Sequence, residues 1–216
     1  MSASVGLLEH LHWLGHASFR LDGPPTIYFD PWRLKGKSPQ ADVILVSHEH
    51  QDHCSPEDVK QVSGPETVIV ANAEAAKKLH GDVRVLRPGE QVTVGEAKIE
   101  AVPAYNVNKF RSPGVPFHPK EAEHVGYIVT VGGERLYFAG DTDHIPEMAE
   151  FRCDVALLPV GGTYTMDTEE AAQAATSIGP KIVVPMHWGA GVVGTRADAE
   201  RFRSLYGGKV VILEAE

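Results

Sequence analysis

The apolar run Val43-Ile44-Leu45-Val46 and the seven residues after it, Ser47-His48-Glu49-His50-Gln51-Asp52-His53, constrain the fold more than any other stretch. The run is short and rich in β-branched residues, and it follows Ala41-Asp42, so it predicts a buried strand with the histidines at its C-terminal exit. Side chains two apart share a face in an extended or turning segment, so His48 and His50 project together. Asp52 and His53 come from the turn beyond and point to a second position nearby. Neutral imidazole and carboxylate together are the donor set of Zn²⁺, Mn²⁺ or Fe²⁺ rather than of Ca²⁺ or Mg²⁺. A solvated turn has no need of this arrangement directly after a fully apolar strand.

A chain of 216 residues can bury a substantial core, and the expectation is a single domain over residues 1–216. The balance of 20 Lys plus Arg against 29 Asp plus Glu gives a net charge of −9, which argues against a nucleic-acid backbone as the main partner and leaves a small-molecule substrate, including an anionic one. No apolar run approaches the length of a membrane span, and Met1 to Glu9 lacks a basic stretch followed by an apolar core, so the default location is the cytoplasm. Cys54 and Cys153 are too few for a disulfide framework and are expected as free, partly buried thiols.

Strands are expected at Leu11–Gly15, His16–Leu21 and Thr26–Asp30, followed by a polar loop from Trp32 to Gln40. Ser55-Pro56-Glu57-Asp58 opens a helix beside the histidine cluster, with Ser55 as cap and Pro56 at the first helical position. Thr67–Val70 reads as a strand and Asn72 to about His80 as a helix; Val83–Leu86, Gln91–Val94 and Ala97–Val102 alternate like strands of one sheet. Residues 103–123 break all periodicity, and a loop of that length inside a compact domain is usually functional, so it is assigned as a cover over the site. Beyond it, His124–Val131 and Glu134–Asp141 form a hairpin that mirrors His16–Asp30. Lys181–His187 likewise resembles Asp42–His48, an apolar strand delivering a histidine. Helices at 167–178 and 195–206 and a closing strand at 210–213 complete an α/β pattern of two related halves.

The form His-x-His-x-Asp-His resembles the signature of the metallo-β-lactamase superfamily, and the match extends in order through Asp30, Gly140-Asp141 and Pro185-Met186-His187. Trp13-Leu14-Gly15-His16, Ala139-Gly140-Asp141-Thr142 and Leu157-Leu158-Pro159-Val160-Gly161-Gly162 are similar to the branch of small metal-dependent hydrolases related to L-ascorbate-6-phosphate lactonases and, more distantly, to N-acyl-phosphatidylethanolamine phospholipase D. The resemblance implies a four-layer αββα sandwich. It also implies two divalent metal ions, with Zn²⁺ first in expectation and Mn²⁺ or Fe²⁺ as alternatives. His48 and His50 would hold metal one, Asp52, His53 and His187 metal two, and Asp141 would bridge them. Asp30 and His16 would stand behind the ligands. The chain departs from the branch where metal one takes its third histidine, because Val102-Pro103-Ala104-Tyr105 leads to Asn106. Three outcomes stay open: weak binding at metal one, a histidine from the cover loop with His118 ahead of His124, or a single metal at site two.

The expected reaction is hydrolysis of an ester, lactone or phosphodiester by a metal-bound hydroxide, with Asp52 and Asp141 as the catalytic carboxylates. Asn106, His118 and Tyr164 are the candidate substrate contacts, and Lys109, Arg111 and Lys120 in the cover loop could meet an anionic group. Two other classes stay in view: a binding or sensor protein with impaired catalysis, for which Asn106 is the support, and a redox dimetal protein. Association into a homo-oligomer is compatible with the branch, although no stretch of sequence marks an interface.

Overall fold

The computed structural model describes residues 6–216. Two six-stranded sheets carry the fold. The first runs in spatial order β1 (Leu11–Gly15), β2 (Ser18–Leu21), β3 (Ile27–Phe29), β4 (Val43–Val46), β5 (Val68–Ala71) and β6 (Asp82–Val85). The β1–β2 and β2–β3 pairs are antiparallel, and β3 to β6 are parallel. The second contains β7 (Gln91–Val94), β8 (Ala97–Pro103), β11 (Val125–Val131), β12 (Glu134–Phe138), β13 (Val155–Pro159) and β14 (Ile182–Met186), in the order β14-β13-β12-β11-β8-β7. Its β7, β8, β11 and β12 are antiparallel neighbours, and β12 to β14 are parallel. A small hairpin of β9 (Phe110–Ser112) and β10 (Val115–Pro116) lies inside the cover loop.

Strand β4 is apolar at every position because both of its faces are covered. Val43 and Leu45 point into the core between the sheets, and Ile44 and Val46 pack on the outer side with Val59, Val62, Ala75 and Leu79. Those last four residues belong to, or directly follow, helices α2 (Pro56–Val62) and α3 (Ala73–Ala76). A short α1 (Gly6–Glu9) precedes β1, while α4 (Thr168–Ile178) packs on β13 and α5 (Arg196–Leu205) on β14. The layers are therefore helix, sheet, sheet, helix.

Helix starts follow the sequence signals. Ser55 caps α2 by accepting from the Asp58 N–H, Asp167 and Glu170 form a reciprocal capping box at α4, and at α5 the Asp198 carboxylate accepts from both the N–H and the hydroxyl of Thr195. Four expectations need correction. Strand β6 sits at the edge of the first sheet, whereas β7 and β8 belong to the second. Strands β7 and β8 alternate in burial while β6 is partly exposed throughout, and neither pattern names the sheet a strand joins. The helix expected from Asn72 to His80 stops at Ala76, after which the Lys78 and Leu79 amides bond three residues back and turn Leu79 into the outer core. Residues 210–213 make only an isolated bridge, Val183 to Val210. Finally, β14 stands two strands from β12, as β5 does from β3, so its place matches β5; the position of β4 corresponds to β13.

One hydrogen bond ties the sheets together just below the histidine cluster. The Tyr127 hydroxyl, on β11 and fully buried, donates to the Val46 carbonyl at 2.8 Å and lies 3.3 Å from the Val70 carbonyl. Phe29 and Phe138 face each other across the same interface with centroids 5.3 Å apart. Tyr127→Phe leaves the buried Val46 carbonyl without this donor, and should lower unfolding stability by about 1–2 kcal/mol with the far-UV spectrum unchanged, measured by urea titration. No loss of stability would show that this contact does not couple the sheets.

Cys54 and Cys153 are both free thiols. Cys54 is buried, and burial followed by the charge of Asp154 pushes the Cys153 thiol up to about 12. Neither should react with a thiol-disulfide reagent at pH 8 on the timescale of the denatured control, and both should react in guanidinium. Rapid labelling of Cys153 in the native protein would contradict its environment.

Candidate metal centre

The candidate ligands leave the ends of strands in both sheets. His48 and the turn carrying His50, Asp52 and His53 follow β4; Asp141 follows β12 through Gly140; His187 follows β14 directly. Gly140 has φ +63°, and a Cβ there would lie 2.9 Å from the Val125 carbonyl, so only glycine lets the chain deliver Asp141 this close to β11. Asp30, His16 and His187 are themselves in the left-handed region, at φ +42°, +53° and +58°. Such backbone strain at non-glycine residues concentrates at functional sites.

Two groups of donor atoms meet at Asp141. In the first, His50 Nδ1 lies 3.1 Å from His48 Nε2 and 3.2 Å from His118 Nε2, and Asp141 Oδ2 lies 3.3 Å from His118 Nε2 and 4.0 Å from His48 Nε2. In the second, Asp141 Oδ1 lies 3.1 Å from His53 Nε2 and 3.2 Å from His187 Nε2, while Asp52 Oδ2 is 3.7 Å from His53 Nε2. The carboxylate thus turns one oxygen to each group.

The ring protons are assigned by partners on the far side of each imidazole. Asp30, fully buried, accepts from the Ser47 N–H at 2.7 Å, from the Ser47 hydroxyl at 2.5 Å and from His53 Nδ1 at 2.6 Å. The Ser47 hydroxyl spends its proton on Asp30, so at 2.9 Å it accepts from His48 Nδ1–H. Asn106 Oδ1 accepts from both the His118 N–H at 2.8 Å and the His118 ring Nδ1 at 2.9 Å. Each of these three histidines therefore presents the lone pair of Nε2 to the centre.

That arrangement fits a cation and little else. His50 has one proton at most on Nδ1 when neutral, and it cannot satisfy the lone pairs of both His48 and His118. In the second group His53 Nε2, His187 Nε2 and Asp141 Oδ1 are buried with no acceptable hydrogen bond among the described residues. Burial lowers His118 to about 3 and drives His48 well below its ordinary value, so both are neutral donors. Burial opposes ionisation of Asp141 and Asp52, but the histidines around them outweigh it and hold both carboxyls well below the usual range. Burial also brings His16 down to about 4; neutral His16 donates through Nε2 to Asp52 Oδ2 at 3.1 Å, and its ring lies 4.1 Å from the His187 ring at a tilt of 44°. Asp52 is thereby oriented from behind, as Asp30 orients His53.

Of the histidines from the cover loop, His118 reaches the centre. His124 stands beside it, with Nε2 3.1 Å from Glu49 and its ring 4.9 Å from that of His48. Asn106 is buried behind His118 instead of facing the cleft, held by its Nδ2 donating to Asp143 and to the Tyr164 carbonyl. Asp143, buried and accepting from the Val107 and Asn108 amides, sets that turn. Sequence does not single it out, because it is one of four consecutive polar residues after Gly140 with no distinguishing spacing.

A cleft of about 370 Å³ opens onto the two groups. Tyr164 lines it, edge to face against Phe117 at 4.8 Å. Trp32 and Arg33 also line it, so the start of the 32–40 loop is part of the site rather than a free polar connection. Of the cover-loop cations, Lys109 pairs with Glu170 and Lys120 with Glu147 at 2.9 Å, and neither borders the cleft.

A model of the β-lactamase superfamily domain matches residues 10–187 of the chain. A UPF0173 metal-dependent hydrolase from Methanoculleus marisnigri is 36% identical over 184 residues, covering 82% of this chain and 80% of its own length. A second, from Thermoplasma acidophilum, is 33% identical over 212 residues, covering 90% and 89%. The crystal structure of a Parabacteroides distasonis protein superposes with a TM-score of 0.82 at 37% identity, covering 95% of this chain and 93% of that one.

Asn106→Ala removes the acceptor that fixes the His118 ring and should weaken metal binding at the His48, His50 and His118 group by about 10- to 100-fold, read by competition with a chromophoric chelator. His118→Ala should lower the metal content per chain, read by elemental analysis against the unaltered chain. An unchanged affinity in Asn106→Ala would remove that residue from any supporting role.

Proposed function

The chain belongs to the metallo-β-lactamase superfamily, within its UPF0173 group of metal-dependent hydrolases, and on that footing we propose that it hydrolyses an ester, lactone or phosphodiester bond of a small molecule with two divalent metal ions held by the centre described above. His48, His50 and His118 would hold the first ion and Asp52, His53 and His187 the second, with Asp141 offering one carboxylate oxygen to each group. Zn²⁺ suits the nitrogen-rich donor set best, and Mn²⁺ or Fe²⁺ is compatible with it. The observation that carries this reading is the two-sided Asp141 carboxylate, with 3.1 to 3.3 Å approaches from His53, His187 and His118.

Bound dications supply an acidified water and an electrophilic contact for the carbonyl or phosphoryl oxygen, chemistry that needs no serine or cysteine nucleophile. The protein's own part is orientation and proton control. Asp30 and Asn106 hold the ring tautomers, His16 holds the Asp52 carboxylate, and Asp52 and Asp141 are the carboxylates that line the cleft, placed to steer or accept a proton there. Tyr164 and Phe117 supply an apolar wall that restricts solvent at the cleft.

Asn106 was the one sequence feature that favoured a sensor with a degraded first site. With His118 in the ligand position and Asn106 fixing its ring, the donor set counts three histidines and a shared carboxylate, which supports catalysis over binding alone. The residues of both sheets converge on one centre, in keeping with residues 1–216 acting as a single domain. No helix among the described residues is long and apolar enough to cross a membrane, and two free thiols agree with a cytoplasmic location.

Asp141→Ala and His187→Ala should each lose bound metal and hydrolysis while keeping the far-UV spectrum, with activity followed on a panel of aryl esters, lactones and bis-aryl phosphodiesters. Chelation should abolish turnover and Zn²⁺ or Mn²⁺ should restore it. Full metal retention by both variants would sink the ligand assignment.

A further inference from the structure

Arg33 is the one lysine or arginine on the wall of the cleft. Its side chain is exposed, yet its position is determined from three directions. The Arg33 and Leu34 amides both donate to the Asp58 carboxylate at 2.9 Å, fixing the bend that follows Asp30. The guanidinium lies 4.1 Å from the centroid of the Trp32 ring, and its Nη1 donates to the Ala190 carbonyl at 3.0 Å. Arg33 itself adopts φ +51°. The backbone is thus held in an uncommon conformation that sends this side chain over Trp32.

The guanidinium has five N–H donors, and among the described residues it has no carboxylate within ion-pairing distance. An arginine that is stacked, anchored at one nitrogen and otherwise unpaired presents a planar fork that matches a carboxylate or phosphate. The cover-loop lysines expected for that task are already paired with Glu170 and Glu147. Apart from the candidate ligands His50, Asp52, His118 and Asp141 and the side chain of Gln51, the wall is aromatic or apolar, from Trp32, Phe117, Tyr164 and Val192.

Resting on the hydrolase reading above, we propose that Arg33 is the anion-recognition residue of this cleft, and that the substrate is a compact ester or lactone with an apolar body and one carboxylate or phosphate group away from the bond that is cut. Water adds across the acyl C–O bond, giving a carboxylate, an alcohol and a proton, and Arg33 holds the spectator anion throughout. A cleft of about 370 Å³ suits a molecule of that size. Fixing one end on Arg33 while the reacting bond faces Asp52 and Asp141 converts binding energy into orientation.

The test uses the metal-loaded full chain and three acetate esters that differ only in the para substituent of the phenol: phenyl acetate, 4-(carboxymethyl)phenyl acetate and 4-(phosphonomethyl)phenyl acetate. Wild type should prefer an anionic ester through KM, and the carboxylate and phosphonate arms identify which oxyanion is accepted. Arg33→Gln should shrink the ratio of kcat/KM for the anionic over the neutral ester by about 10- to 100-fold, the range of a lost charge-assisted bond, with Arg33→Lys in between. General damage to the centre would lower all three rates together and leave the ratio in place. Calorimetry with phenylacetate against phenylacetamide supplies a readout that does not need turnover. Equal handling of the three esters, or an unchanged ratio in Arg33→Gln, overturns the role of Arg33 and leaves the hydrolase reading standing. Arg33-dependent binding of phenylacetate with no ester cleaved upholds the anion site and counts against hydrolysis. Neither cleavage nor selective binding overturns both.

Discussion

The Asp30 carboxylate is where the site and the fold are one object. It ends β3, the strand beside β4, and is fully buried. It accepts from the backbone and hydroxyl of Ser47 and from the His53 ring, so one buried anion fixes the first residue after β4 and histidines of both donor groups. Burial raises the Asp30 pKa, and the bonds from His53 and Ser47 work against that rise. An unsatisfied carboxylate at this depth would cost several kcal/mol, so the three bonds are required for β3 and β4 to end side by side. Metal ligation makes the same demand, because His48 and His53 must each show Nε2 to the centre. Folding and function therefore ask for the same hydrogen bonds.

A second support, around Asn106, joins the cover loop to the turn after β12. Asp143 gathers the Val107 and Asn108 amides and the Asn106 side chain, and Asn106 in turn holds the His118 ring. Asp30 thus serves ligands that follow a strand of the first sheet, and Asp143 serves a ligand carried by the cover loop. The loop could not place His118 by periodicity or by packing alone. It does so through buried polar groups that leave it one low-energy arrangement.

This difference explains what the sequence discloses. The ligands His48, His50, Asp52 and His53 lie in one stretch after one apolar strand, so local spacing reveals both their chemistry and their grouping. Asp141 and His187 are legible because an apolar strand stops at each, and Gly140 announces a close backbone approach. His118 is legible only as one option among three, since its place depends on Asn106 and Asp143, the latter 25 residues further along the chain. Arg33 is not legible at all. It sits near Lys35 and Lys37 in a polar loop, and only the Trp32 ring and the distant Asp58 carboxylate set it apart. The sheet boundary between β6 and β7 is hidden for a related reason, because both are four-residue edge strands with no buried residue, and nothing local says which sheet either one joins.

The topology also explains why the centre lies where it does. In each sheet a parallel trio, β3-β4-β5 and β12-β13-β14, ends at the same rim. The first trio delivers Asp30 and the cluster from His48 to His53; the second delivers Asp141 and His187. Neither sheet alone assembles either donor group, since Asp141 contributes to both. The rim is therefore functional only while the sheets stay in register, and the contacts that keep them so lie directly beneath it, in the Tyr127 bond to Val46 and the Phe29 to Phe138 contact. A slip of one sheet against the other by a single side-chain layer would move Asp141 by more than the 3.1 to 3.3 Å approaches it makes. Packing between the sheets is thus the distance control of the metal centre.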